Sequence, residues 1–137
     1  TGTGTRQRVG CMTLSRPKVL IVDDSPALIL QLQQVLQHLG VSAEAFDPDS
    51  QATTTDSGVA AIFVEVLQSR SNGFQILRKL ATVFKCPLIL LSGTGRASDT
   101  AWARQAGAAS VLCRPITGIR LVQCLQQAGI KLAEADA

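Results

Sequence analysis

Five side chains in this sequence are of kinds that do chemistry, and each closes a short apolar run. Asp23 and Asp24 follow KVLIV, Glu65 follows VAAIFV, Ser92 follows PLILL and Arg114 follows ASVLC. A lone carboxylate at the end of such a run, as in AAIFVEVLQ (60–68), is costly unless it is paired, ligated or neutralised. Two adjacent acids at a strand end suit a divalent ion, one ligating directly and one through water. A guanidinium is the other partner that settles clustered carboxylates. The chemistry expected is therefore cation-assisted: a divalent site at Asp23, Asp24 and Glu65, with Ser92 and Arg114 as its neutral and cationic neighbours.

Those residues act together only if the chain brings them to one place. The runs preceding them are short, apolar and rich in β-branched residues, and helical patterns separate them. KVLIVDDSP reads as a buried strand followed by a helix start, with Ser25 as N-cap and Pro26 at the first helical position. That helix keeps Leu28, Leu32, Val35, Leu36 and Leu39 on one face, ends near His38 and stops at Gly40. VSAEAF (41–46) suits a second strand, VAAIFV (59–64) a third and PLILL (87–91) a fourth. ASVLCRP supplies a fifth, broken by Pro115. GFQILRKLATVF (73–84), Ser98 to Ala106 and Thr117 to Ala128 read as helices, and DPDSQATTTDSG (47–58) as a frayed helix or loop. Strands that are apolar throughout and alternate with helices imply a parallel sheet covered on both faces. In such a sheet, functional side chains gather just past the carboxyl ends of the strands.

Composition narrows the function classes. At 137 residues the chain is expected to form one domain, and its 46% apolar content fits an aliphatic α/β core. No run approaches the roughly 18 apolar residues of a membrane span. The net charge of +3 is carried by a leader: Arg6, Arg8, Arg16 and Lys18 face no acid in the first 18 residues, leaving nine basic against ten acidic residues beyond. A nearly neutral body argues against nucleic-acid binding by the domain itself. Residues 1–17 read as a basic extension, 18–130 as the domain and 131–137 as a tail or linker. Cys11, Cys86, Cys113 and Cys124 lack metal-ligand spacing and read as reduced thiols, three of them in the core, in a cytoplasmic protein. SGTG (92–95) is a turn string without the lysine of a phosphate-binding loop. Trp102 is expected to pack.

The ordered set VDDS after the first strand, Glu65 with Gly73 eight residues later, LSG after the fourth strand and Arg-Pro after the fifth resembles the receiver domain of two-component response regulators. The resemblance spans Lys18 to Ile130. It implies a flavodoxin-like, doubly wound five-stranded parallel sheet in the order 2-1-3-4-5, with helices on both faces. It also implies phosphorelay signal transduction, with Mg²⁺ bound weakly at Asp23, Asp24 and Glu65. Glu65 stands at the phosphoacceptor position, where the family has aspartate, one methylene or about 1.5 Å shorter. Arg114 replaces the lysine that meets the phosphoryl group, Val111 replaces the aromatic switch residue, and Ser69 replaces a loop proline. Ser92 keeps the hydroxyl.

These departures point to an atypical, non-enzymatic receiver in which Glu65 mimics a phosphorylated acceptor. Its partner would be a histidine kinase, an output domain or a second copy of the chain, met through about Ser98 to Ala128. Two other readings of Glu65 stay open: a strand-end residue that only salt-bridges Arg114, and a true phosphoacceptor in a Mg-dependent relay. A haloacid-dehalogenase-like phosphohydrolase is a remote alternative, since DDS replaces the D-x-D such enzymes need.

Overall fold

The computed structural model describes residues 17–48, 58–66, 72–93 and 97–132. Five strands, β1 (Lys18–Val22), β2 (Ser42–Ala45), β3 (Val59–Glu65), β4 (Leu88–Ser92) and β5 (Ser110–Cys113), form one sheet. All pairings are parallel and the spatial order is β2-β1-β3-β4-β5. The order and the parallel sense expected from the sequence are both present.

Among the described residues three helices lie between strands, α1 (Pro26–His38), α2 (Gly73–Val83) and α3 (Ala97–Ala106), and a fourth, α4 (Gly118–Gln127), follows β5. Their starts are set locally. Ser25 Oγ accepts from Leu28 N, Asn72 Oδ1 accepts from Phe74 N at 2.7 Å, and Thr117 Oγ1 accepts from Arg120 N at 3.2 Å. Each side chain thus satisfies an amide that has no partner inside its helix. Gly40, after α1, takes φ +82°, the left-handed geometry that favours glycine and turns the chain into β2.

The sheet divides the core in two. Val19, Ile21, Ala61, Phe63, Ile89 and Leu91 point to one side, where Leu32 and Leu36 of α1 and Leu121 and Leu125 of α4 cover them. Leu20, Val22, Ile62, Val64, Leu88 and Leu90 alternate to the other side, under α2 and α3. Alternation along strands buried on both faces is why the sequence shows continuous apolar runs and no period of two. Core truncations here are expensive: Phe63, at 0% exposure, belongs to the class where Phe→Ala costs about 3–5 kcal/mol.

Three expectations need correction. Leu28 does not join the buried face of α1; it is exposed, and Ile29 packs inward in its place. The first turn of α1 follows directly from the carboxyl edge of β1, where there is less sheet beneath it to cover. The described cysteines form no disulfide with one another, but only Cys124 is buried, while Cys86 and Cys113 are half-buried. Trp102 packs edge-on against Phe74 with centroids 5.8 Å apart, yet stays 59% exposed. The leader to residue 16, most of the 47–58 segment, Ser69 and the tail from 133 lie outside the described residues.

At the outer edge of the sheet, β2 pairs among the described residues on one side only, with β1. The side-chain amide of Gln33, on α1, donates to the Ala43 carbonyl at 3.1 Å.

Candidate functional site

Register alone levels the acids. Val22 pairs with Val64, so the next residues along, Asp23 and Glu65, stand side by side at the carboxyl edge of neighbouring strands. Glu65 is in turn the partner of Leu91, and Ser92 the partner of Cys113, which brings Arg114 to the same edge. The Arg114 backbone N–H donates to the Ser92 carbonyl at 2.9 Å and continues the ladder one step past β5. Residues far apart in sequence thus converge, as the sequence argument requires.

The central contact is an ion pair. Arg114 Nη2 donates to Glu65 Oε1. Glu65 is only 3% exposed, whereas the Arg114 side chain keeps 29% of its surface in solvent. The pair therefore has a buried acid and a wet base. Its geometry suits the substitutions: glutamate reaches further than aspartate, and a guanidinium offers a planar fork where an ammonium offers a point. The peptide bond after Arg114 is cis.

Asp23 is half-buried and Asp24 exposed. Asp23 Oδ1 accepts from the Ser25 N–H at 3.0 Å, a local turn that leads into α1. Burial pushes the Asp23 carboxyl up from its ordinary value; the Ser25 N–H opposes this, Glu65 adds to it, Arg114 opposes it, and Asp24 adds to it again. The three acids and Arg114 thus share one electrostatic neighbourhood.

That neighbourhood does not assemble the expected cation site. Among the described residues, no group of three His, Cys, Asp or Glu side chains is gathered so as to hold a metal ion. Glu65 Oε1 is occupied by a guanidinium, and one Asp23 oxygen by a backbone amide. Mg²⁺ demands near-octahedral oxygen ligands, and where side chains supply only one or two carboxylates the rest of that shell falls to water. The residues present do not fit the metal as a three-carboxylate set.

Ser92 is fully buried, and its carbonyl holds Arg114. Val111 is half-buried against the core on the α2/α3 side.

Two features of the site go beyond the sequence reading. Gly73 begins α2 against the backbone that carries Glu65: a Cβ there would lie 2.6 Å from Val66 Cα and 2.9 Å from Val66 O. The Gly73 N–H donates to that same carbonyl at 3.1 Å. The spacing from Glu65 was visible in the sequence; the contact that requires glycine was not. Beside the ion pair runs a groove of about 500 Å³, walled by Leu28, Leu32, Leu91 and Ile116, with Asp23 and Arg114 also lining it. Its only sequence signal is an apolar Leu28 in the first turn of a helix that starts at the site.

Residues 19–126 match the response regulator receiver domain family. Among curated proteins, the chain is 26% identical over 106 residues to the transcriptional regulatory protein CpxR of Escherichia coli K12, covering 77% of this chain and 46% of that protein. It is 28% identical over 105 residues to protein PilH of Pseudomonas aeruginosa, covering 72% of this chain and 86% of that one. The chain thus spans about half the length of the transcriptional regulators it matches. Among solved structures, chemotaxis protein CheY4 of Vibrio cholerae superposes with a TM-score of 0.70 at 22% identity, covering 82% of this chain and 98% of that one. A response regulator receiver protein from Burkholderia phymatum gives 0.70 at 21%, covering 86% and 99%. At these identities the superpositions establish the fold alone.

Proposed function

This chain belongs to the response regulator receiver family, and from that premise we propose that it is an atypical receiver whose phosphoacceptor position is already neutralised. The observation that carries this reading is the Arg114 guanidinium seated on the buried Glu65 carboxylate. An attacking carboxylate oxygen must be free and aligned with its phosphodonor, and misplacement by about 1 Å costs on the order of 100-fold. Glu65 is displaced by a methylene, enclosed, and engaged by a cation. The same pair resembles an acid phosphate held by its basic partner, so the anion at position 65 holds one conformation without phosphorylation. Its bias extends only as far as Glu65 interacts differently with the two states.

The domain signals in the cytoplasm by contact and not by turnover. The face made by α3, β5 and α4, about Ser98 to Ala128, meets a sensor kinase, an output domain or a second copy. Two large apolar side chains support this: Trp102 at 59% exposure and Ile119 at 73%, both of the kind that anchors interfaces. Among the described residues no helix is long and apolar enough to cross a membrane.

The test is intact mass after incubation with acetyl phosphate and Mg²⁺. The mass is expected to stay unchanged; a gain of about 80 Da, one phosphoryl group, lost in Glu65→Gln, would establish the relay reading in its place. Glu65→Gln and Glu65→Asp are both expected to change assembly or partner binding. If both behave as the parent protein, the mimic is refuted.

A further inference from the structure

The groove beside the ion pair has the size and the mix of groups of a small-ligand site. At about 500 Å³ it lies within the roughly 300–1,000 Å³ range of such sites. Its walls are mostly aliphatic: Leu28 and Leu32 from α1, Leu91 from β4, and Ile116 after β5. Leu28 is the more telling of these, because it leaves a branched apolar side chain 37% exposed at the mouth.

Two charged side chains, Asp23 and Arg114, line this groove. Their electrostatics differ. The charge of Arg114 is matched by Glu65 through a direct hydrogen bond, so that pair presents little net charge to a ligand. Asp23 has one oxygen on the Ser25 amide and forms no direct ion pair among the described residues. Its carboxylate is therefore the formal charge that the groove offers. A divalent ion does not meet that offer from side chains alone, because among the described residues no two further His, Cys, Asp or Glu side chains are gathered with Asp23. A monovalent organic cation does: it needs one carboxylate, and its apolar body needs aliphatic walls.

We propose that the groove between α1 and the loop after β5 binds a small organic ammonium compound, with its charged head on Asp23 and its apolar body along Leu28, Leu32 and Ile116. Occupancy would cover the edge where β1, β4 and β5 end, next to the pair that sets the conformation in the reading above. The inference rests on that reading only in taking the Arg114 charge to be engaged by Glu65. Ligand binding and phosphoryl acceptance are measured separately, so either can fail alone.

The probes are 4-phenylbutylammonium and 4-phenylbutyrate, which share an apolar body and differ in the sign of the head. Each is titrated into the full chain by ¹H–¹⁵N NMR, with Mg²⁺ as a third arm. The ammonium is expected to bind saturably with a Kd of about 1 mM or below, the range open to a ligand of about a dozen heavy atoms. Shifts should centre on Leu28 and Ile116. Asp23→Asn, which keeps the oxygen facing Ser25, is expected to weaken it at least about tenfold, and Leu28→Ala a few-fold. Binding of the carboxylate in preference would overturn the charge assignment. Absence of saturable ammonium binding up to about 10 mM, or binding that Asp23→Asn leaves unchanged, would overturn the site. Saturable Mg²⁺ binding that competes with the ammonium would overturn the claim that the groove is built for an organic cation.

Discussion

Replacing Arg114 with glutamine takes the cation from a carboxylate that is 3% exposed, and the size of the penalty can be bounded. Breaking a buried pair from one side costs about 3–5 kcal/mol in fully enclosed cases. Here the base keeps 29% of its side-chain surface in solvent, so water reaches part of the site. The loss in Arg114→Gln is therefore expected to be about 2–4 kcal/mol, below the enclosed limit because of that solvent access. Glu65→Gln alone should cost less, about 1 kcal/mol or under, because Arg114 can turn to water. The double variant completes a cycle whose coupling should reach at least about 1 kcal/mol. Urea unfolding followed by circular dichroism near pH 7 reads all four proteins. A cost for Arg114→Gln below about 0.5 kcal/mol, with zero coupling, would refute the buried pair.

Two further outcomes follow from the same site. Gly73→Ala places a methyl group 2.6 Å from Val66 Cα, where the neighbour is backbone and cannot swing aside. It is expected to cost about 1–3 kcal/mol and to shift the NMR signals of Glu65 and Arg114, whereas Gly118→Ala, with open space around its Cβ, should leave them in place. Asp23→Asn relieves an acid whose carboxyl burial has pushed up from 3.8. A raised folded value means stability falls as pH climbs through the window above 3.8, so the variant should be more stable at neutral pH. Since Asp23 is only half-buried, the gain is at most about 1 kcal/mol, a few degrees in Tm, and should vanish below the ordinary aspartate range.

How much of the molecule is legible in its sequence varies with what each signal measures. Strands β1, β3 and β4 lie between two helical layers, so their runs are apolar without interruption and hard to misread. Ser25, Pro26 and Gly40 mark α1 to within a residue because capping is local chemistry. The pairing of Glu65 with Arg114 can be anticipated, since register in a parallel sheet follows from strand ends. That no three-carboxylate metal group is gathered among the described residues cannot. It depends on which partner Glu65 Oε1 selects and on Asp23 turning one oxygen to the Ser25 amide, and neither choice leaves a trace in residue type. Leu28 and Trp102 depart from expectation for a related reason. Apolar periodicity reports which face of a helix looks inward, not how far the sheet beneath it extends.

The amide of Gln33 on the Ala43 carbonyl has a consequence for the molecule in crowded solution. An open strand at the rim of a sheet is a template on which a foreign extended segment can grow, and growth begins from a carbonyl without a donor. Here a side chain from the neighbouring helix already fills that role, on a strand only four residues long and bearing the charged Glu44. Removing that amide, as in Gln33→Leu, uncovers the rim without touching the core, so the damage should appear as slow self-association on storage while the melting curve stays nearly unchanged.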